Sequence, residues 1–301
     1  YRMNNLDIDS LISSGQLEQL ISETDKYSIP QILSTERPDK VTKYLYQGRV
    51  AVIVNGNPYC LVMPATLVDF VSSPEDTNLR FQFSNFLKFL RLISIGITLF
   101  LPAFYIAMTN FHQELIPTEL LFSILASREN VPFPVIFEIL VMEISFELIR
   151  EAGLRVPSPI GPTIGIVGAL VLGQAAVSAS IVSPILIIII AITGIASFAI
   201  PDFSFGFHLR LVRFIFLMLT FISGFLGLAI GAFVYMTILC SLRSFGVSYM
   251  VSFAPMEDAE APGYFIPPIW RREKRPNYLD PKKQYTQKHI SMKWRYKKED
   301  L

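Results

Sequence analysis

The segment FEILVMEISFELIREAG, residues 137–153, threads Glu138, Glu143, Glu147 and Glu151 through an otherwise apolar helical sequence. Carboxylates among Ile, Leu, Val and Phe have two chemistries open to them. They neutralise cationic side chains, or they border water and draw cations into it. At about 100° per residue, Glu143, Glu147 and Glu151 at i, i+4 and i+8 share one helix face within about 80°, with Glu138 elsewhere. An ionisable residue at membrane depth costs at least ~2.5 kcal/mol, so such residues face a cavity or a partner. Copies of this helix around an axis would stack the acids into rings that attract cations and exclude anions, making Glu143, Glu147 and Glu151 the expected ion-pathway residues. The competing arrangement is a helix lying in the membrane surface with that face in water. Glu147 then pairs with Arg150 and Glu151 with Arg155.

The other chemistry-bearing residues are sparser. Gln174 is the only carboxamide in the apolar run 161–182 and is expected to hydrogen-bond between helices. Gly161, Gly165, Ala169 and Gly173 recur at every fourth position of that run, a spacing that lets helices approach closely in lipid. His112 and Glu114 are too few for a metal site, and a loop at the outer surface is expected there. Arg210 and Arg213 read as anchors that snorkel to the interface. With three histidines and no HExxH, nucleophile elbow or phosphate loop, the sequence offers no catalytic constellation, no metal centre and no cofactor site, and an enzyme is not expected. Two cysteines, Cys60 and Cys240, fit neither a disulfide framework nor a metal site.

These residues sit in a chain built for a membrane. Of 301 residues, 51% are hydrophobic and 17% charged, and the mean hydropathy is +0.44, well away from a soluble average. The net charge of +1 conceals a basic C-terminal tail, in which residues 271–301 hold 11 Lys or Arg against 4 Asp or Glu. That tail suits contact with anionic lipid headgroups or a partner, and otherwise a solvated terminus; nothing beyond charge supports nucleic acid. The chain opens at Tyr1 in a polar, helix-like sequence, which suggests that an upstream part is missing.

Three regions are expected. Residues 1–82 read as a small cytoplasmic α+β domain, the second part of a larger one. Gly15 divides residues 8–23 into two short helices, Asp39 caps a helix that Gly48 ends, and Asn55-Gly56 turns a β-hairpin. Residues 83–254 form a polytopic α-helical membrane domain, and 255–301 the basic cytoplasmic tail. Apolar runs at 92–111, 161–182, 185–200 and 214–240 give four crossings, with Pro184 interrupting the middle pair and 119–127 too short to cross. Helix 134–153 then lies in the interface or re-enters. An even number of crossings puts both basic ends inside, as the positive-inside rule requires.

Several phrases point further: TERPD (35–39), GRVAVIVNGNP (48–58), HQELIP (112–117), REN-VPFP (128–134), EISFELIREAGLRVPSPIG (143–161), IVGALVLGQAAV (166–177) and SFGVSYMVSFAP (244–255). In this order, over nearly the whole chain, they resemble the GerA family of bacterial spore germination proteins, the A-type subunits of germinant receptors or their paralogue from the dipicolinic acid transport operon. The resemblance implies an integral protein of the endospore inner membrane with cytoplasmic termini. It implies a homo-oligomer working beside a transporter-like B subunit and a lipoprotein C subunit, and releasing monovalent cations through a channel during germination. The family's acidic helix and the turn after it map onto Glu143, Glu147, Glu151, Gly153, Arg155 and Pro157. Three positions depart from the family pattern: Ser248 stands where proline is expected, and Thr77-Asn78 replace a tyrosine pair. Two other roles remain open, a secondary transporter, which needs paired broken helices, and a non-conducting scaffold that relays a signal.

Overall fold

The computed structural model describes residues 7–23, 27–155, 168, 171–254, 263–268 and 274–285. Helix predominates, and contacts group the chain into two units. One comprises Tyr1–Leu92, Pro201–His208 and Tyr235–Leu301, the other Ile93–Ile200 and Leu209–Val234.

In the first unit, α1 (Ser14–Ile21) starts at Ser13, whose hydroxyl accepts from the Gln16 amide. Residues 8–23 thus hold one helix rather than two, because the Ser13 cap sets its start and leaves Gly15 in the first turn. Strand β1 (Leu33–Thr35) leads to α2 (Pro38–Gln47), and β2 (Val50–Ile53) and β3 (Cys60–Met63) form the expected hairpin around Asn55-Gly56, with Gly56 at φ +79°. The sheet is antiparallel in the order β1-β3-β2, with Leu33 opposite Val62 and Val52 opposite Leu61. Central β3 is buried throughout, and Leu17 and Ile21 of α1 pack with Ile32, Val54, Leu61 and Met63 to make the core. Helix α2 ends as expected at Gly48, left-handed at φ +97°, but its N-cap is Arg37 and not Asp39. Pro38, with fixed φ and no N–H, takes the first helical position and moves the cap back one residue. Asp39 instead holds the Arg37 guanidinium at 3.0 Å.

Residues far along the chain complete this unit. A capping box of Thr66 and Asp69 opens α3 (Leu67–Val71), and Asp69 grips buried Arg49 through two hydrogen bonds of 2.5 and 3.0 Å. Arg49 also donates to the Tyr278 hydroxyl at 2.9 Å. The SFGVSYM phrase forms a two-residue hairpin between β4 (Arg243–Ser244) and β5 (Val247–Ser248), with Phe245 and Gly246 both at positive φ as such a turn requires. It delivers Tyr249, fully buried, against Phe70, and the Tyr249 carbonyl accepts from the Leu67 amide. Described parts of the basic tail also pack here: Lys88 and Tyr264 exchange hydrogen bonds of 2.6 Å, and Asn85 pairs with the Ile266 backbone.

Helix α4 (Phe81–Ile106) begins in this unit and continues into the second, ending in a π-turn at Ala107–Phe111. The second unit also holds α5 (Thr118–Arg128), α6 (Val135–Arg155), α7 (171–178) and α8 (Pro184–Phe198). Helices α6 and α8 approach closely at Gly194, where a Cβ would lie 2.7 Å from the Phe146 ring.

Among the described residues two helical stretches could cross a membrane by length and composition, Phe81–Phe111 and Phe203–Ser241. The second, α9, departs from the single straight span expected over 214–240. At Gly224 the backbone takes φ +60°, ψ −139°, a region open to glycine and costly for other residues. Beyond it the chain folds back: a Cβ on Gly231 would lie 2.9 Å from Phe216, one on Gly227 would collide with the Leu219 carbonyl oxygen, and His208 Nε2 lies 3.1 Å from the Tyr235 hydroxyl. In a straight helix residues 27 apart stand about 40 Å apart. α9 is therefore a helical hairpin with arms 203–223 and 225–241, about 31 and 25 Å long at 1.5 Å per residue. Phe100 and Phe216, then Phe104 and Phe225, pack α4 along the hairpin to its tip. Helix α8, at 15 residues, measures about 22 Å against a bilayer core of about 30 Å. Residues 161–167, 169 and 170 of the expected 161–182 crossing, Gly161 and Gly165 among them, lie outside the described residues, as does Pro157.

Candidate functional site

The acidic helix α6 has the stripe its spacing predicts, and its surroundings grade the acids by depth. The Glu143 side chain is 2% exposed, Glu147 27% and Glu151 56%. The first arm of α9 supplies two arginines that meet this stripe. Arg213, also 2% exposed, lies 2.5 Å from Glu143 and 3.4 Å from Glu147. Arg210 lies 3.5 Å and Arg150 3.1 Å from Glu147. Arg150 is held in turn by α8, donating to the Ser197 hydroxyl at 2.8 Å with its guanidinium stacked 4.8 Å from the Phe198 ring. Two carboxylates and three guanidiniums from α6 and α9 thus form one ion network braced by α8.

Glu151 sits at the exposed end, paired with Arg155 at 2.7 Å. Glu138, off the stripe, is buried and receives Arg128 at 3.2 Å and the Ser183 amide at 3.0 Å. The two local pairs expected from spacing, Glu147 with Arg150 and Glu151 with Arg155, both form. Arg213 corrects an expectation: it does not snorkel to an interface but is buried between two carboxylates. Desolvation explains this, since a buried guanidinium must be paired and hydrogen-bonded. Complementary spacing, arginines at i and i+3 and glutamates at i and i+4 on another helix, was the only signal for it in the sequence.

The remaining expected site residues are placed as follows. A Cβ on Gly173 would sit 3.8 Å from Ile187, ordinary contact, whereas close approach occurs at Gly194 and between the arms of α9 at Gly227 and Gly231. Gln174 is exposed on α7 rather than sandwiched between helices of the same chain. His112 ends the π-turn with its ring 4.9 Å from that of Phe225, and among the described residues no group of three or more His, Cys, Asp or Glu could hold a metal ion.

A polar relay at the open end of the hairpin was missed. The Ser28 hydroxyl lies 3.0 Å from His208 Nδ1, and His208 Nε2 contacts Tyr235, linking both arms of α9 to the sheet domain. Nearby, Glu18 is pushed up to about 7, first by burial and then by the Asp202 carboxylate. Asp202 caps α9 by accepting from the Phe205 amide.

Residues 1–278 match the family model described as Bacillus/Clostridium GerA spore germination protein. The chain is 48% identical over 276 residues to spore germination protein KA of Bacillus subtilis, an alignment covering 91% of this chain and 51% of that protein. It is 47% identical over 249 residues to spore germination protein A1 (82% and 52% covered) and 42% identical over 277 residues to the uncharacterized membrane protein YfkQ (91% and 54%), both of the same organism. The chain spans about half the length of these curated relatives. No solved structure matches.

Proposed function

Because the chain belongs to the GerA family of spore germination proteins, we propose that it is the A-type subunit of a germinant receptor, embedded in the endospore inner membrane. Copies of it assemble around a cation-conducting path, beside a transporter-like B subunit and a lipoprotein C subunit, and open that path to monovalent cations on germination. The observation that carries this reading is the graded acid stripe of α6: its inner member is neutralised by Arg213, and its outer members, Glu147 and Glu151, retain exposed carboxylate surface. In this reading Glu143 positions the helix and Glu147 and Glu151 face the ions. Gly161, Gly165 and Gly173 serve packing between copies, and Arg155 and Pro157 shape the turn that follows.

Two further features support a membrane setting. Ile195, Ile222 and Phe233 are each at least 70% exposed, a cost in water that lipid or a partner removes. Both ends of the α9 hairpin pack in the same unit as the start of α4, so the hairpin contributes zero or two crossings. Both chain ends then lie on one side if the stretch between Phe111 and Pro201 crosses back an odd number of times.

A non-conducting scaffold is the second reading, favoured by the network's excess of arginine, three against two, around Glu143 and Glu147. The Gly224 break also adds a second interruption to the one before Pro184, which the transporter reading had lacked. Single-channel recording of the purified chain in liposomes separates these roles. Unitary cation currents that lose cation selectivity in Glu147→Gln/Glu151→Gln, with assembly retained, support the channel. Silent bilayers with an intact oligomer leave the scaffold, and saturable solute uptake without unitary currents leaves the transporter.

A further inference from the structure

Residues 81–92, the start of α4, belong to the first unit, and they carry their polarity the wrong way round for a helix in water. Ser84 and Lys88 are buried. Lys88 Nζ donates to the Tyr264 carbonyl at 2.6 Å, Asn85 exchanges hydrogen bonds of 2.8 and 3.1 Å with the Ile266 backbone, and Arg91 grips Asp76 at 2.5 and 2.9 Å. The other face is aromatic and open: Phe83 and Phe86 are each 61% exposed and Phe89 53%, with Leu87 exposed beside them. At about 100° per residue the two sets centre on opposite sides of the helix.

A helix packed on a domain in water buries its apolar stripe and turns its charges outward. Here the domain takes the charges and the surroundings receive the phenylalanines, so the surroundings are apolar. Two features identify them as lipid. The open face continues on the same side of the helix at Ile93, itself exposed, within the stretch Phe81–Phe111 that is long and apolar enough to cross a membrane. Its 31 residues measure about 46 Å at 1.5 Å per residue, against about 30 Å for a hydrocarbon core and 40–45 Å with the headgroup layers, so one end lies among headgroups when the rest crosses. Between residues 82 and 90, moreover, the only exposed polar side chain is Gln82, at the very start. The face offers neither the charge nor the hydrogen bonds that specify a protein partner.

We propose that the 83–89 face of α4 is a lipid-docking surface: it lies in the boundary between headgroups and acyl chains and holds the sheet domain against the bilayer. Tyr264 and Asp76 keep Lys88 and Arg91 turned into the domain, so the two cations do not snorkel to the headgroups. The inference rests on the membrane setting proposed above and adds where lipid contact begins, about two and a half turns ahead of the first span expected from Leu92. It does not depend on ion conduction.

A single tryptophan reports the contact. In the full chain carrying Trp270→Phe/Trp294→Phe, Phe86→Trp is reconstituted in phosphatidylcholine vesicles with and without bromine high in the acyl chains. Phe104→Trp, near the far end of α4, reports insertion, and Tyr46→Trp, at an exposed position on α2, reports the rest of the domain. Bromine is expected to quench Phe86→Trp and Phe104→Trp about twofold or more and to spare Tyr46→Trp, as for a ring seated ~5–10 Å into the boundary. Should Phe86→Trp fail to fold, Phe83→Trp on the same face is read in its place. Quenching of Phe104→Trp without Phe86→Trp overturns the docking surface and leaves the membrane setting standing; blue-shifted emission from Phe86→Trp then assigns the face to a second copy of the chain. Equal quenching of Tyr46→Trp also overturns the surface, and quenching of none overturns the membrane setting with it.

Discussion

Glu143 and Arg213 are each almost wholly removed from solvent, so neither tolerates the loss of the other. Arg213→Met alone strands a buried carboxylate and Glu143→Leu alone a buried guanidinium; each is expected to cost about 3–5 kcal/mol, with most of it recovered in the double variant. Thermal unfolding of the four proteins in detergent measures this as a double-mutant cycle, and additive losses would show that the pair is not coupled. Glu18 makes a pH-dependent contribution in the sheet domain. Its folded-state pKa is raised from 4.5 to about 7, so its stabilising contribution is complete below about 4.5 and is lost as pH rises through about 7. The unfolding temperature should therefore fall between about pH 5 and pH 8, and Glu18→Gln should flatten that slope; a parallel slope in the variant would assign the effect elsewhere. At this scale the sequence was legible where partners were near. Glu147 with Arg150 and Glu151 with Arg155 follow from helical spacing, whereas Arg213 lies on a different helix and burial, which sequence does not display, made the pair.

Helix identity and the β-hairpin were readable because capping, turn and period signals are local. Asn55-Gly56 and Gly48 announced their turns, and α6 followed its apolar pattern. The fold-back of α9 was not readable, because glycine is common in apolar membrane helices and 27 uncharged residues look like one span. What reverses the chain is a set of close contacts between its arms, made possible at Gly224, Gly227 and Gly231. A methyl at Gly227 meets a backbone carbonyl, which no rotamer change relieves, so Gly227→Ala is expected to cost at least about 1–3 kcal/mol. Gly173→Ala, with its nearest neighbour at ordinary contact distance, should be near neutral in the isolated chain. Unfolding temperature and purified yield compare the two, and equal behaviour would mean that the hairpin does not close this tightly.

Across the molecule, the hairpin's open end, the sheet domain and the base of α4 belong to one packed body, and this bears on orientation. Cys240 is exposed near the end of the second arm and Cys60 is buried, so one engineered cysteine completes an accessibility test. A membrane-impermeant maleimide applied to sealed vesicles is expected to label Cys240 and Gln19→Cys from the same face. Labelling from opposite faces would rule out a shared side for the domain and the hairpin ends. The division of the chain into 1–82, 83–254 and a tail follows composition, which records what each stretch avoids. Composition does not record that Tyr249 returns to Phe70 and that Tyr278 returns to Arg49, 229 positions earlier.

That return orders events during synthesis. Arg49 emerges from the ribosome with Asp69 soon after it, but its hydroxyl partner at Tyr278 follows 229 residues later, after every candidate membrane helix has been made. The domain at the front of the chain is thus finished last, and a polypeptide interrupted before its final segment leaves Arg49 without the hydroxyl that the completed protein gives it.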